Sequence, residues 1–127
     1  MKILITGVSG MLGSNLQKVL SEDNCVFSTG NSNFPEEPEN YMAFDLKSNS
    51  YDKLIKWSNP DLIILSGALT NGNYCNENPA EAMDVNGLSV SKFINATDKK
   101  VKIIYISTDA VFSSKTHLAK ENDCVSP

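Results

Sequence analysis

Three glycines near the amino terminus carry the strongest chemical signal in the chain. Gly7, Gly10 and Gly13 stand in the run Met1-Lys-Ile-Leu-Ile-Thr-Gly-Val-Ser-Gly-Met-Leu-Gly13. Ile3 to Ile5 reads as a buried strand, and an amphipathic segment begins after the glycines. Strand, glycine turn and helix form the setting in which such a pattern cradles a dinucleotide's pyrophosphate. Gly7 permits the tight turn off the strand. Gly10 lets backbone approach a phosphate, and Gly13 lets the helix pack closely on the strand. The phosphates would then lie against free N–H groups at the positive end of the helix. The spacing is G-x-x-G-x-x-G rather than G-x-G-x-x-G, and a purely structural turn is the competing reading.

A dinucleotide also needs contacts at its adenosine end. In NAD-specific folds an acid about twenty residues past the glycines bonds the ribose hydroxyls. Here Ser28-Thr-Gly-Asn-Ser-Asn33 holds neither acid nor cation. Small hydroxyl and amide side chains, Asn31 among them, accommodate either ribose. With no carboxylate there to repel a 2′-phosphate, the stretch favours NADP over NAD; it reads almost as well as a plain turn. Asp45 and Leu46 end a third apolar segment, where Asp45 could bond an adenine amino group or cap the following turn. Gly67-Ala68-Leu69-Thr70 follows a fourth segment. Small residues at a strand's carboxyl end let a ligand approach, and they also permit a sharp turn.

The elements that must hold these residues follow from the pattern of apolar positions. Leu12, Leu16, Val19 and Leu20 mark one face of a first helix. Strands are expected at Cys25–Ser28, Tyr41–Leu46, Asp61–Ser66 and Val101–Ser107, the last burying Tyr105. A helix is expected over Tyr51–Trp57, stopped by Asn59-Pro60. Another starts at the Asn78-Pro79 cap and runs to Thr97. Residues 34–40, 71–78 and 113–127 read as loops, with His117, the single histidine, solvated. Strands alternating with helices predict crossover connections and one parallel, doubly wound α/β sheet of the Rossmann type. The expected strand order is 3-2-1-4-5, spanning residues 1–127 as one domain. The crevice falls between strands 1 and 4, where Gly7 and Gly67 both sit.

Composition narrows the partners. At 127 residues and a net charge of −4, the chain suggests neither nucleic acid nor an anionic membrane. Every basic residue is lysine, so the bidentate arginine clamp for phosphate is missing. Cys25, Cys75 and Cys124 are widely spaced and read as reduced thiols. No metal-ligand cluster is visible. No apolar run reaches the length of a membrane span, and the first residues do not form a signal peptide. These features point to a cytoplasmic protein.

Several blocks then align with a known family. They are Ile5-Thr-Gly-Val-Ser-Gly-Met-Leu-Gly13, Phe44-Asp-Leu46, Pro60-Asp-Leu-Ile-Ile64 with Ala68-Leu-Thr-Asn71, Cys75-Asn-Glu-Asn-Pro79 with Val85-Asn86, and Ile106-Ser-Thr-Asp-Ala-Val-Phe112. Together they resemble the extended short-chain dehydrogenase/reductases, and most of all the dTDP-4-dehydrorhamnose reductase family. The resemblance implies NADP or NAD as cofactor and reduction of the 4-keto group of a nucleotide-linked deoxysugar. It implies that Thr108 orients the substrate carbonyl and that Asn86 corresponds to a helix asparagine ordering a relay water; Asn86 also reads as a polar residue bonded to backbone. It places Gly7, Ser9, Gly10, Met11 and Leu12 along the pyrophosphate, Asp45 and Leu46 at the adenine, and Ala68 and Thr70 near the riboses. The family's Tyr-x-x-x-Lys pair does not occur, since no tyrosine here has a lysine four residues on. Ala110 also stands where the family usually has an aromatic residue. The chain is therefore expected to be the cofactor-binding front half of such a reductase, inactive alone, without the sugar-binding lobe. The alternative is a non-catalytic nucleotide-binding or regulatory protein of the same fold. An uncovered sheet edge at the fifth strand predicts self-association into a homo-oligomer or a partner chain.

Overall fold

The computed structural model describes residues 1–31, 39–113 and 118–126. His117 and the stretch 32–38, including Ser32 and Asn33, lie outside the described residues. Five strands form one sheet: β1 (Lys2–Thr6), β2 (Cys25–Gly30), β3 (Tyr41–Ala43), β4 (Leu62–Leu65) and β5 (Lys102–Tyr105). Their order is β3-β2-β1-β4-β5, and every pairing is parallel. This is the expected Rossmann-type topology.

β1 and β4 are continuous runs of Ile and Leu because both faces of the sheet are covered. Alternate residues point to opposite faces. Leu4, Ile63 and Leu65 meet Phe44, Tyr51, Leu54 and Phe93 on one side. Ile3, Ile5 and Ile64 meet Val8 and Val26 on the other. The first face is covered by α2 (Tyr51–Ser58) and α5 (Ser89–Ala96). There the Tyr51 ring stands edge-on to Phe44 and to Phe93, with centroids 5.0 and 4.7 Å apart. Burial pushes the Tyr51 phenol up to about 12, with the Asp84 and Asp45 carboxylates adding to the shift. The second face is covered by α1 (Met11–Leu20) through Leu16 and Leu20.

Several expectations need correction. Leu12 and Val19 are exposed, because α1 presses Gly13 rather than Leu12 toward the sheet. Residues 71–78 are not a loop. They hold α3 (Gly72–Glu77), started by Asn71, whose side chain accepts from the Tyr74 amide at 3.0 Å. The helix from Pro79 is α4 (Pro79–Met83), which opens into one wide π turn over Asp84–Leu88 before α5. Tyr105 is 46% exposed rather than buried, since β5 is the sheet's edge. Ile104 and Ile106 are exposed beside it, as the uncovered edge predicts. No helix among the described residues is long and apolar enough to cross a membrane.

Candidate functional site

The ends of β1 and β4 meet backbone to backbone. Gly7 has φ +72°, a conformation that side chains other than glycine's rarely adopt, and a Cβ there would lie 2.5 Å from the Gly67 Cα. Thr6 ties the junction: its Oγ1 accepts from the amides of Ser66 and Gly67, each at 3.2 Å, while the Ser66 hydroxyl donates to the Thr6 carbonyl at 2.5 Å. The Gly7 amide donates to the Thr29 carbonyl at 2.8 Å, fastening the loop to β2 as well. A Cβ at Gly13 would overlap the Gly7 carbonyl oxygen, so close contact of helix and loop needs glycine there.

This packing aims the start of α1 at the crevice. Gly10 caps α1 without any side-chain hydrogen bond. The first amides of a helix, here those of Met11, Leu12 and Gly13, have no acceptor within the helix. They form a positive, donor-rich end suited to an anion.

Beside this end lies a cavity over the carboxyl ends of β1, β2 and β4. Seven of the sequence-predicted cofactor residues line it: Gly7, Ser9, Asn31, Asp45, Leu46, Gly67 and Ala68. Thr6, Thr29, Gly30, Phe44, Lys47, Leu69, Glu81 and Val85 line it too, and sequence reasoning did not select them. Thr29 is buried, and its hydroxyl has no hydrogen-bond partner among the described residues. Asp45 does cap the turn, accepting from the Lys47 amide at 2.9 Å, and it also faces the cavity. The capping reading of that residue is the one the geometry displays.

Lys47 and Glu81 close the cavity from two elements. The Lys47 Nζ lies 2.7 Å from Glu81 Oε1, and the Tyr74 hydroxyl donates to Glu81 Oε2 at 2.6 Å. The hydrogen bond to Glu81, with its negative charge, holds the Lys47 ammonium and the Tyr74 phenol above their ordinary values. The bonds from Lys47 and then Tyr74 hold the Glu81 carboxyl below its own. Lys47 was available to the sequence reading, directly after Asp45-Leu46. Glu81 was not, because only the path of α4 brings it there.

The other candidates stand apart. Gly10, Met11, Leu12 and Gly13 form the helix start next to the cavity but do not line it, and Thr70 is exposed outside it. Asn86 lies in the π turn with both amide atoms engaged. Its Oδ1 accepts from the Leu69 amide at 2.8 Å, and its Nδ2 donates to the Leu69 carbonyl at 2.9 Å. Its own carbonyl accepts from the Tyr105 hydroxyl at 3.1 Å. Thr108 is exposed after β5. Its hydroxyl accepts from the Ala110 amide at 3.2 Å and donates to Asp109 at 3.4 Å.

A five-stranded parallel sheet in this order, with a glycine turn opening into an uncapped helix at the switch, defines a Rossmann-like α/β protein. The whole chain, residues 1–127, matches the RmlD substrate binding domain, and the protein belongs to that family. It is 30% identical over 125 residues to a Haloferax volcanii protein described as a probable low-salt glycan biosynthesis reductase, covering 91% of this chain and 40% of that one. It superposes on a hypothetical dTDP-4-dehydrorhamnose reductase of Sulfolobus tokodaii with a TM-score of 0.88 and 31% identity, covering 100% of this chain and 46% of that one. A dTDP-4-dehydrorhamnose reductase of Clostridium acetobutylicum gives a TM-score of 0.83 at 28% identity, with 100% and 43% covered. The chain thus spans less than half the length of the relatives it matches.

Proposed function

We propose that these residues form the NAD(P)H-binding part of a reductase acting on the 4-keto group of a nucleotide-linked deoxysugar, in the manner of the dTDP-4-dehydrorhamnose reductases. The observation that carries this reading is the junction of Gly7 and Gly67. It sets the uncapped start of α1 beside a cavity lined by Gly7, Ser9, Gly67 and Ala68. The amides of Met11, Leu12 and Gly13, with Gly7, Ser9 and Gly10, would hold a pyrophosphate. Asp45 and Leu46 would face the adenine, and Asn31, Ala68 and Thr70 the riboses. Bound nicotinamide in its reduced form supplies a hydride to a carbonyl carbon.

Thr108 would orient that carbonyl by giving up its bond to Asp109 and donating to the substrate oxygen. Asn86 holds the loop after β4 through Leu69, so its service to the reaction is to position that loop. A sugar-binding lobe beyond these residues would complete the enzyme. Within the 127 residues no Tyr-x-x-x-Lys pair exists to supply the proton, so this chain alone binds dinucleotide without turning it over. That same observation favours a second reading, a nucleotide-binding protein that performs no chemistry.

Titration with NADH and NADPH, followed by nicotinamide fluorescence, tests the proposal. Saturable binding of either is expected, and binding of neither overturns it. Steady NADPH oxidation by this chain alone with dTDP-4-keto-6-deoxymannose would overturn the proposed inactivity.

A further inference from the structure

The charges around the cavity bear on which dinucleotide it takes. The lining carries two carboxylates, Asp45 and Glu81, and one cation, Lys47. That cation is engaged: its Nζ is held 2.7 Å from Glu81, which Tyr74 fixes from the other side. Among the described residues no other cation lines the cavity. Asn31, Phe44, Asp45 and Leu46 line this side of the cavity, and none of them is a cation. In folds of this kind the adenosine ribose lies at the end of the second strand. Here that point is Asn31, which lines the same cavity.

We propose that the cavity takes NAD(H) in preference to its 2′-phosphorylated form, and that Glu81 sets the preference by holding Lys47 in an ion pair at the cavity wall. This rests on the dinucleotide reading above. A 2′-phosphate brings further negative charge against a lining whose carboxylates outnumber its cation. It needs an arginine fork or a free ammonium, and the chain has no arginine. A ribose diol needs only neutral partners, such as the Asn31 amide at the cavity wall. The raised Lys47 and lowered Glu81 values keep the pair ionised through neutral pH. Residues 28–33 alone favour NADP because no carboxylate lies among them. The opposing charges come from positions 45 and 81, brought in by the turn after β3 and by α4.

The test is direct titration of the whole chain with NADH and with NADPH at low ionic strength. NADH is expected to bind about tenfold more tightly, the scale of one unfavourable charge contact at a protein surface. Glu81→Gln frees Lys47 and removes one carboxylate, so it should narrow that ratio severalfold through tighter NADPH binding. Lys47→Met should widen the ratio. Both positions are partly exposed, and circular dichroism would check the fold of each variant. Equal or tighter binding of NADPH by the unaltered chain overturns the proposal, as does a ratio that neither variant moves. Failure to bind either nucleotide overturns the dinucleotide reading itself, and so is distinguishable from failure of the preference.

Discussion

The junction of β1 with β4 and the edge at β5 are neighbours in one sheet, yet they are built to different standards. At the junction, Thr6, Ser66 and Gly67 share hydrogen bonds, and the Gly7 and Gly67 backbones touch. Seven of the residues expected to bind a cofactor line the cavity beside it. At β5, Ile104, Tyr105 and Ile106 are exposed, and Thr108 caps a short turn facing solvent. The residues expected to do chemistry do not converge there. Binding a dinucleotide, as proposed, draws on the backbone geometry of one loop, and the Gly7–Gly67 junction has that geometry. Orienting and protonating a substrate needs side chains assembled from several elements, and among the described residues these have not been brought together.

The largest test of this contrast compares two apolar residues. Phe93 is fully buried and stands edge-on to Tyr51. Phe93→Ala should cost about 3–5 kcal/mol in urea unfolding, because the cavity left behind cannot collapse around a rigid sheet. Ile104 on β5 is 48% exposed. Ile104→Lys should change stability by no more than about 0.5 kcal/mol. It should also weaken self-association in sedimentation, since a charged edge strand resists pairing with another copy. Equal destabilisation by the two would mean that β5 is as tightly packed as the interior.

Gly13→Val comes next. Its side chain would drive into the Gly7 carbonyl, and separating helix from loop should cost about 1–3 kcal/mol. Because the same movement shifts the first amides of α1, NADH binding should fall further than stability does. A variant that is destabilised but binds normally would detach the helix start from the site.

What the sequence disclosed follows the same division. The strand order and the lining residues Gly7, Ser9, Gly67 and Ala68 were legible because they depend on local patterns: apolar runs, glycine spacing and small residues at strand ends. The exposure of Val19 and Tyr105 was not legible, because it depends on which neighbours a helix face or an edge strand receives. Lys47 and Glu81 escaped for a related reason. A charge adjacent to Asp45-Leu46 looks like an ordinary surface lysine until α4 carries Glu81 to it across 34 residues of sequence. The expected loop at 71–78 failed on a single cap, since Asn71 bonding the Tyr74 amide was enough to start a helix.

Asn86 tests how the two regions communicate. It grips both backbone groups of Leu69 at the crevice, and its carbonyl receives the Tyr105 hydroxyl from β5. Asn86→Ala leaves the Leu69 amide and carbonyl without these partners, at a cost of about 1–2 kcal/mol. Dinucleotide affinity should fall by several-fold, because Leu69 and Ala68 line the cavity. Tyr105→Phe removes only the contact from β5 and should leave affinity unchanged. If both variants weaken binding alike, the edge strand helps to shape the crevice and the contrast between the regions narrows.

Thr108→Val should have the smallest effect on this chain. The hydroxyl caps a solvent-facing turn, so its loss should cost no more than about 1 kcal/mol, as for a short exposed cap. Thr108 does not line the cavity, and NADH affinity should stay within about twofold of the unaltered chain, a difference of less than 0.5 kcal/mol by the usual conversion. The near-silence is the informative result, because a group that acts only on a substrate carbonyl has no reason to affect folding or cofactor binding. A marked loss of NADH affinity would instead place Thr108 in the dinucleotide site and extend the binding surface from the β1–β4 junction to the end of β5.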